Sequence, residues 1–176
     1  RETFINFDGV ESAFFIWVNG RKVGYSENSY SPAEFNISKY LIAGENTLAV
    51  QVFRYSDGSY LEDQDFWRLS GIFRNVYIYS TPKLQIRDYK VETDFDPDYK
   101  NATLKVIGEV RNLDKKDYYK YSVEFALYDP KNKEVFKEKS PLFSFAKSKN
   151  KTKGVNYEKL IIDPKKWTPE TPDLYT

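Results

Sequence analysis

Residues 60–74, YLEDQDFWRLSGIFR, place Glu62, Asp63 and Asp65 among Tyr60, Phe66 and Trp67, and close with Arg68, Ser70 and Gly71. Carboxylates are acceptor-only groups with hard oxygens, suited to hydroxyl or amide donors or to a cation. A solvated loop has no need of an indole beside three carboxylates. A buried core cannot hold unpaired carboxylates without losing on the order of several kcal/mol of hydration for each. The stretch therefore asks for a partner that covers the rings and engages the acids.

The rest of the chemistry available is limited by what the 176 residues lack. There is no Cys, no His and no Met. Disulfides, thiolate nucleophiles, Cys-based zinc sites and every Ser-His or Cys-His mechanism are thereby excluded, which leaves carboxylates, Tyr, Lys and Arg. A net charge of +1 sets up no global field to recruit nucleic acid or an anionic membrane, so neither is expected as a partner. No apolar run approaches the roughly 18 residues that read as a membrane span. The chain opens at Arg1 on what reads as a strand interior, and is expected to be a piece of something longer.

The elements that must carry the acidic stretch read as strands. Residues 1–8 and 12–18 are short aromatic and β-branched runs bounded by turn formers. WVNGRKVGY supplies a hairpin, because Asn19-Gly20 tolerates the positive φ angles of a type I′ turn. In SPAEFNISKYL, Pro32 precedes, and Ser38 is placed to cap, a single turn ending before Gly44. NTLAVQVFRY and FRNVYIYSTP resume the strand pattern. No stretch of residues 1–81 sustains a helical period, so this part reads as antiparallel sheets packed face to face. After Thr81-Pro82 the composition turns basic, with 20 Lys and Arg against 16 Asp and Glu in residues 82–176, compared with 7 against 10 in residues 1–81. Strand runs at about 8 to 12 residue spacing then fit an immunoglobulin-like sandwich. The expected fold class is all-β, with two β-sandwich domains over residues 1–81 and 82–176. Pro164, Pro169 and Pro172 each remove a ladder donor, so the tail DPKKWTPETPDLY reads as a linker leaving the second domain.

FDGVESAFFIWVNGRKVGYSENSYSPAEFNIS, GENTLAVQVFRYSDGSYLEDQDFWRLSGIFRNVYI and the closing WTPETPDLY resemble the β-galactosidases of glycoside hydrolase family 2. The resemblance is dense in residues 7–82 and thin in residues 83–160. It implies the latter part of a jelly-roll sugar-binding domain, then an immunoglobulin-like domain, with the catalytic (β/α)8 barrel and the N-terminal strands absent from these residues. It implies a parent enzyme that hydrolyses terminal β-galactosides, and a chain that is itself inactive because the two catalytic glutamates lie in the barrel. Carried over on EDQDFWRLSGI, Asp65 matches the aspartate that helps hold galactose and ligates Na⁺ or K⁺. Glu27 in GYSENS and Asp57 in SDGSY match ligands of a structural Mg²⁺ completed by residues upstream of Arg1, so any Mg²⁺ affinity of this chain alone is expected to be poor. The missing partner of the acidic stretch is then the barrel rim, with Tyr60, Phe66 and Trp67 excluding water around it.

Plainer roles are expected for most of the neighbours. Asp63 and Glu62 read as structural acceptors for backbone amides or Arg68, Trp67 as a packing residue, and Arg68 and Arg74 as partners of nearby carboxylates. The sequons at Asn36, Asn101 and Asn150 carry no weight. The basic run of residues 145–157 reads as a solvated loop. Missing jelly-roll strands leave edges and apolar surface open, so residues 1–81 are expected to self-associate. The alternative reading, from another class, is a free-standing carbohydrate-binding or adhesion protein of two sandwiches with the aromatic and acidic loop as its binding face.

Overall fold

A computed structural model of the chain describes residues 1–62, 64, 65, 67–114, 116–146 and 151–176. Asp63, Phe66 and the Asn150 sequon lie outside the described residues. The chain folds as two compact units, Arg1–Pro82 and Lys83–Thr176.

In Arg1–Pro82 the strands are β1 (Glu2–Phe7), β2 (Val10–Glu11), β3 (Ala13–Val18), β4 (Arg21–Ser26), β5 (Ala33–Asn36), β6 (Leu48–Phe53), β7 (Gly71–Ile72) and β8 (Val76–Thr81), with one short helix, α1 (Gly58–Leu61). They form antiparallel sheets of order β5-β1-β8 and β4-β3-β6, with β2 and β7 paired separately. Strand side chains alternate between faces. Ile5 and Phe7 from β1 meet Phe14, Ile16 and Val18 from β3 in one buried cluster that also takes in Val10 and Ile37. Phe7 and Phe14 lie 4.8 Å apart between ring centroids, and Phe35 meets both edge-on. The expected sandwich is thus present, with its core built from the central strand of each sheet.

Asn19 and Gly20 take φ of 51° and 74°, and Val18 pairs with Arg21, the geometry expected of a type I′ hairpin. The Pro32 region differs from expectation: residues 33–36 form a strand on β1, and a short 3₁₀ turn follows at Ser38–Tyr40. Ser38 does not cap this turn. Its hydroxyl accepts the Thr3 N–H at 2.7 Å and ties the turn to β1, while Asn36 Oδ1 accepts the Ser38 N–H at 3.0 Å. The demand of a backbone N–H at the end of the β1–β5 ladder outweighed the local capping preference.

In Lys83–Thr176 the strands are β9 (Leu84–Phe95), β10 (Ala102–Asn112), β11 (Tyr118–Tyr121), β12 (Glu124–Tyr128), β13 (Glu134–Lys139), β14 (Phe143–Phe145) and β15 (Lys151–Ile161). The main sheet has the order β15-β10-β9, and β12 pairs with β13 and β11 with β14. Val110, Phe145 and Val155 form the buried cluster, a smaller one than in Arg1–Pro82. Two expectations are corrected here. Residues 151–157 of the basic run are not loop but the start of β15, laddered against Asn112 to Val106, because β10 is long enough to pair them while their lysines point outward. The tail does not leave the unit: Thr176 and Tyr128 exchange both backbone hydrogen bonds, at 2.7 and 3.1 Å, and the Tyr175 hydroxyl accepts the Lys165 N–H at 3.0 Å. The last proline is Pro172, so residues 173–176 keep every donor they need. Among the described residues no helix is long and apolar enough to cross a membrane.

Removing the Phe14 ring is expected to cost about 3–5 kcal/mol, the range for a large aromatic truncated in a packed core. Denaturant unfolding of Phe14→Ala checks this, with amide protection lost across β1 and β3.

Candidate functional site

The loop after α1 is positioned from residues more than thirty places earlier in the chain. Ser29 is buried, and it donates both its backbone N–H and its hydroxyl to Glu62, at 3.2 and 2.6 Å. Glu62 therefore serves as the structural acceptor expected of it. A Cβ on Gly58 would meet the Glu27 carbonyl oxygen at 3.0 Å, so the first residue of α1 is one that lets segment 27–30 press against the helix. The Tyr30 hydroxyl donates to the Trp67 carbonyl at 3.0 Å, and Arg74 Nη1 donates to the Tyr30 carbonyl at 3.2 Å. Arg74 also lies over the Tyr30 and Phe73 rings. Among the described residues Arg74 thus braces the loop through a carbonyl and two rings, not through a carboxylate as expected. The reason is position, since the Tyr30 and Phe73 rings, tilted against each other with centroids 5.7 Å apart, both lie beneath its guanidinium.

Glu27 and Asp57 both act on Tyr25. The Tyr25 hydroxyl donates to Glu27 Oε2 at 2.5 Å, and its pKa is pushed up to about 12, first by that hydrogen bond, then by burial and by the charges of Glu27 and Asp57. Two carboxylates therefore act on one phenol. Among the described residues no group of three or more Asp, Glu, His or Cys stands ready to hold a metal ion. These two acids offer hard oxygens of the right kind for a divalent cation, in a number that leaves the rest of its shell to other donors.

Asp65 lies apart from this pair. It is exposed in a bend, and among the described residues no hydrogen bond or ion pair reaches it. Close to it in the chain the apolar side chains of Tyr60, Leu61 and Trp67 are 83%, 84% and 84% exposed. Trp67 is thereby corrected from a packing residue to a surface one. Its carbonyl is the group held in place, which leaves the indole outside the core. A small cavity of about 10 Å³ lies under the loop, lined by Glu11, Ser12, Ser29, Ser59, Glu62 and Arg68. It is far too small for a hexose, so any sugar contact made by this loop is on its outer side. No local pattern in the sequence marks Ser29, Tyr30 or Tyr25, since each acts across the fold.

Residues 1–82 match the family described as glycosyl hydrolases family 2, sugar binding domain, and residues 84–176 match glycosyl hydrolases family 2. A β-galactosidase of Priestia megaterium is 48% identical over 98% of this chain and 16% of its own length. A β-galactosidase of Clostridium acetobutylicum is 42% identical over 100% of this chain and 18% of its own length. The chain thus spans about a sixth of the curated relatives it matches. Among solved structures, the Bacteroides uniformis β-glucuronidase is similar at a TM-score of 0.87 and 25% identity, over 99% of this chain and 21% of that one.

The Tyr25 phenol gives this region its own signal. With its pKa raised above the ordinary 10, the protonated phenol's stabilisation is fully present below pH 10 and is lost as pH rises through about 12. In an ultraviolet titration, read as the difference between the protein and Tyr25→Phe, Tyr25 is expected to ionise near 12. Glu27→Gln should return it toward the ordinary value, because it removes both the charge and the strongest hydrogen bond.

Proposed function

We propose, since this chain belongs to glycoside hydrolase family 2, that it is a non-catalytic part of a retaining β-galactosidase that removes terminal, non-reducing β-D-galactose residues. The observation that carries this reading is the 48% identity to a β-galactosidase along nearly the whole chain, against 25% to the β-glucuronidase structure. Retaining glycosidases need two carboxyl groups about 5 to 5.5 Å apart across the scissile bond. In the acidic loop Glu62 is committed to Ser29, so the reading assigns the catalytic pair to other parts of the longer protein.

Within this reading Asp65 is the residue that meets the substrate. An exposed carboxylate with no internal partner among the described residues would accept from a galactose hydroxyl and offer an oxygen to Na⁺ or K⁺. A bound monovalent cation would supply a fixed positive charge for sugar oxygens. Glu27 and Asp57 would contribute oxygens to Mg²⁺, with its remaining positions left to other donors. Tyr60, Leu61 and Trp67 form the apolar rim that docks on the catalytic part and keeps water from these contacts. A second reading draws on the same exposed indole beside a free carboxylate: a stand-alone sugar-binding surface, on which the 176-residue chain alone would bind galactosides and Trp67→Ala would lose them.

In the longer enzyme, Asp65→Asn is expected to lower kcat/KM roughly 10- to 150-fold, the value of one charge-assisted contact of about 1.5–3 kcal/mol, and to blunt the response to sodium. Kinetics across a sodium titration check this alongside Tm. Unchanged kinetics with a lowered Tm would instead make Asp65 a structural residue.

The same reading leaves two edges of Arg1–Pro82 for other strands to cover. The edge strands β4 and β5 carry Arg21, Lys22 and Glu34, whereas β6 and β8 carry no charge at all. Uncharged edges pair readily, so the isolated chain is expected to self-associate through β6 or β8. Sedimentation at several concentrations checks this. Gln51→Lys on β6 combined with Ile78→Lys on β8, both at exposed positions, should restore the monomer.

A further inference from the structure

Among the described residues no hydrogen bond or ion pair reaches Asp65 itself, and no strand or helix lies between α1 and β7. What sets its place in the loop lies on either side of it. Before it in the chain, Glu62 is held by Ser29, whose N–H and hydroxyl donate to Glu62 Oε1 and Oε2 at 3.2 and 2.6 Å. After it, the Trp67 carbonyl accepts the Tyr30 hydroxyl at 3.0 Å. The two anchors are neighbours in the sequence, and they take hold of the loop on opposite sides of Asp65.

Ser29 and Tyr30 are themselves held. Ser29 is buried, and just beyond the pair the Ser31 N–H donates to Asn28 Oδ1 at 3.1 Å, closing the backbone around it. The Tyr30 carbonyl accepts Arg74 Nη1 at 3.2 Å, and its ring lies against Phe73. Phe73 and Arg74 follow β7, whose Gly71 is in turn paired with Glu11 of β2. A carboxylate that meets a cation or a sugar hydroxyl has to be placed within about 0.5 Å by side chains that are locked themselves. Tying a short arc at both ends removes most of its conformational freedom, and tying it at one end does not.

We propose that Ser29 and Tyr30 are positioning residues for Asp65: they hold the loop on both sides of it and so set how well its carboxylate meets the cation and the sugar. This rests on the reading of Asp65 as the residue that meets the substrate. It adds that the strength of those contacts is set by the segment between β4 and β5.

Tyr30→Phe isolates the effect, since it removes the hydroxyl and leaves the ring against Phe73 and beneath Arg74. The lost hydrogen bond is an exposed one, so Tm should stay within about 2 °C. In the 176-residue chain, trypsin should cut after Arg68 roughly 2- to 10-fold faster relative to its other sites, the range that one hydrogen bond supports. In the longer enzyme, the sodium concentration for half-maximal activity should rise by a similar factor. Glu62→Ala should shift both readouts in the same direction. Glu62→Gln, which keeps an oxygen for the Ser29 N–H and offers its amide to the Ser29 hydroxyl, should restore them. Unchanged sodium dependence in Tyr30→Phe, beside an impaired Asp65→Asn, would overturn the positioning role and leave the reading of Asp65 standing. A sodium shift without faster cutting would also overturn it, because Tyr30 would then act by contact and not through the loop. Asp65→Asn with unchanged kinetics would overturn both.

Discussion

The contact of Phe7 with Phe14 is the interaction on which residues 1–82 depend. Each phenylalanine sits on the central strand of its sheet, so their packing holds β5-β1-β8 against β4-β3-β6 and determines which side of every strand faces outward. Once β3 is fixed, the Asn19-Gly20 hairpin fixes β4 behind it, and β4 delivers Tyr25, Glu27 and Ser29 to one end of the sandwich. The site begins there. Ser29 holds Glu62, Tyr25 holds Glu27, and the backbone of Glu27 abuts Gly58. A core contact between two rings is in this way the origin of the geometry of a surface loop.

The acids of the loop are distinguished by their commitments. Glu62 gives two acceptor positions to a buried serine, where leaving either donor unmet would cost about 1–3 kcal/mol. Glu27 accepts the hydrogen bond of a phenol that is reluctant to ionise. Asp65 has no such engagement among the described residues. Availability to a ligand follows from that difference, not from the acidity of the stretch as a whole. The exposed rings of Tyr60 and Trp67 then present apolar surface beside the one uncommitted carboxylate among the described residues of the loop.

The two units reach different degrees of closure. Among the described residues, seven side chains form the buried cluster of Arg1–Pro82 and three that of Lys83–Thr176. Among the described residues β12 is paired on one side by β13 and on the other only at Tyr128. A sandwich strand without a neighbour leaves its inward side chains half covered, and Leu127, Phe125 and Val123 are all in that condition. The family matches run from residue 1 to 176 with a break only at Lys83, so both units belong to one architecture despite this contrast.

What the sequence determined by itself were properties carried by neighbouring residues. Strand alternation made the all-β class legible, Asn19-Gly20 specified its own turn, and the lack of His and Cys excluded whole mechanisms. The runs shared with β-galactosidases carried the family in the same local way. Only the tertiary structure decided which acids were free, that Ser38 ties to β1 instead of capping, that Arg74 braces carbonyl and rings, and that the tail returns to Tyr128. Each of those outcomes joins residues far apart in the chain: Ser29 and Glu62 are separated by 33 positions, and Thr3 and Ser38 by 35. Local propensity sets what a segment is able to form, but a backbone group or a carboxylate takes the partner that the packed core brings within about 3 Å, and that partner is chosen by the whole fold.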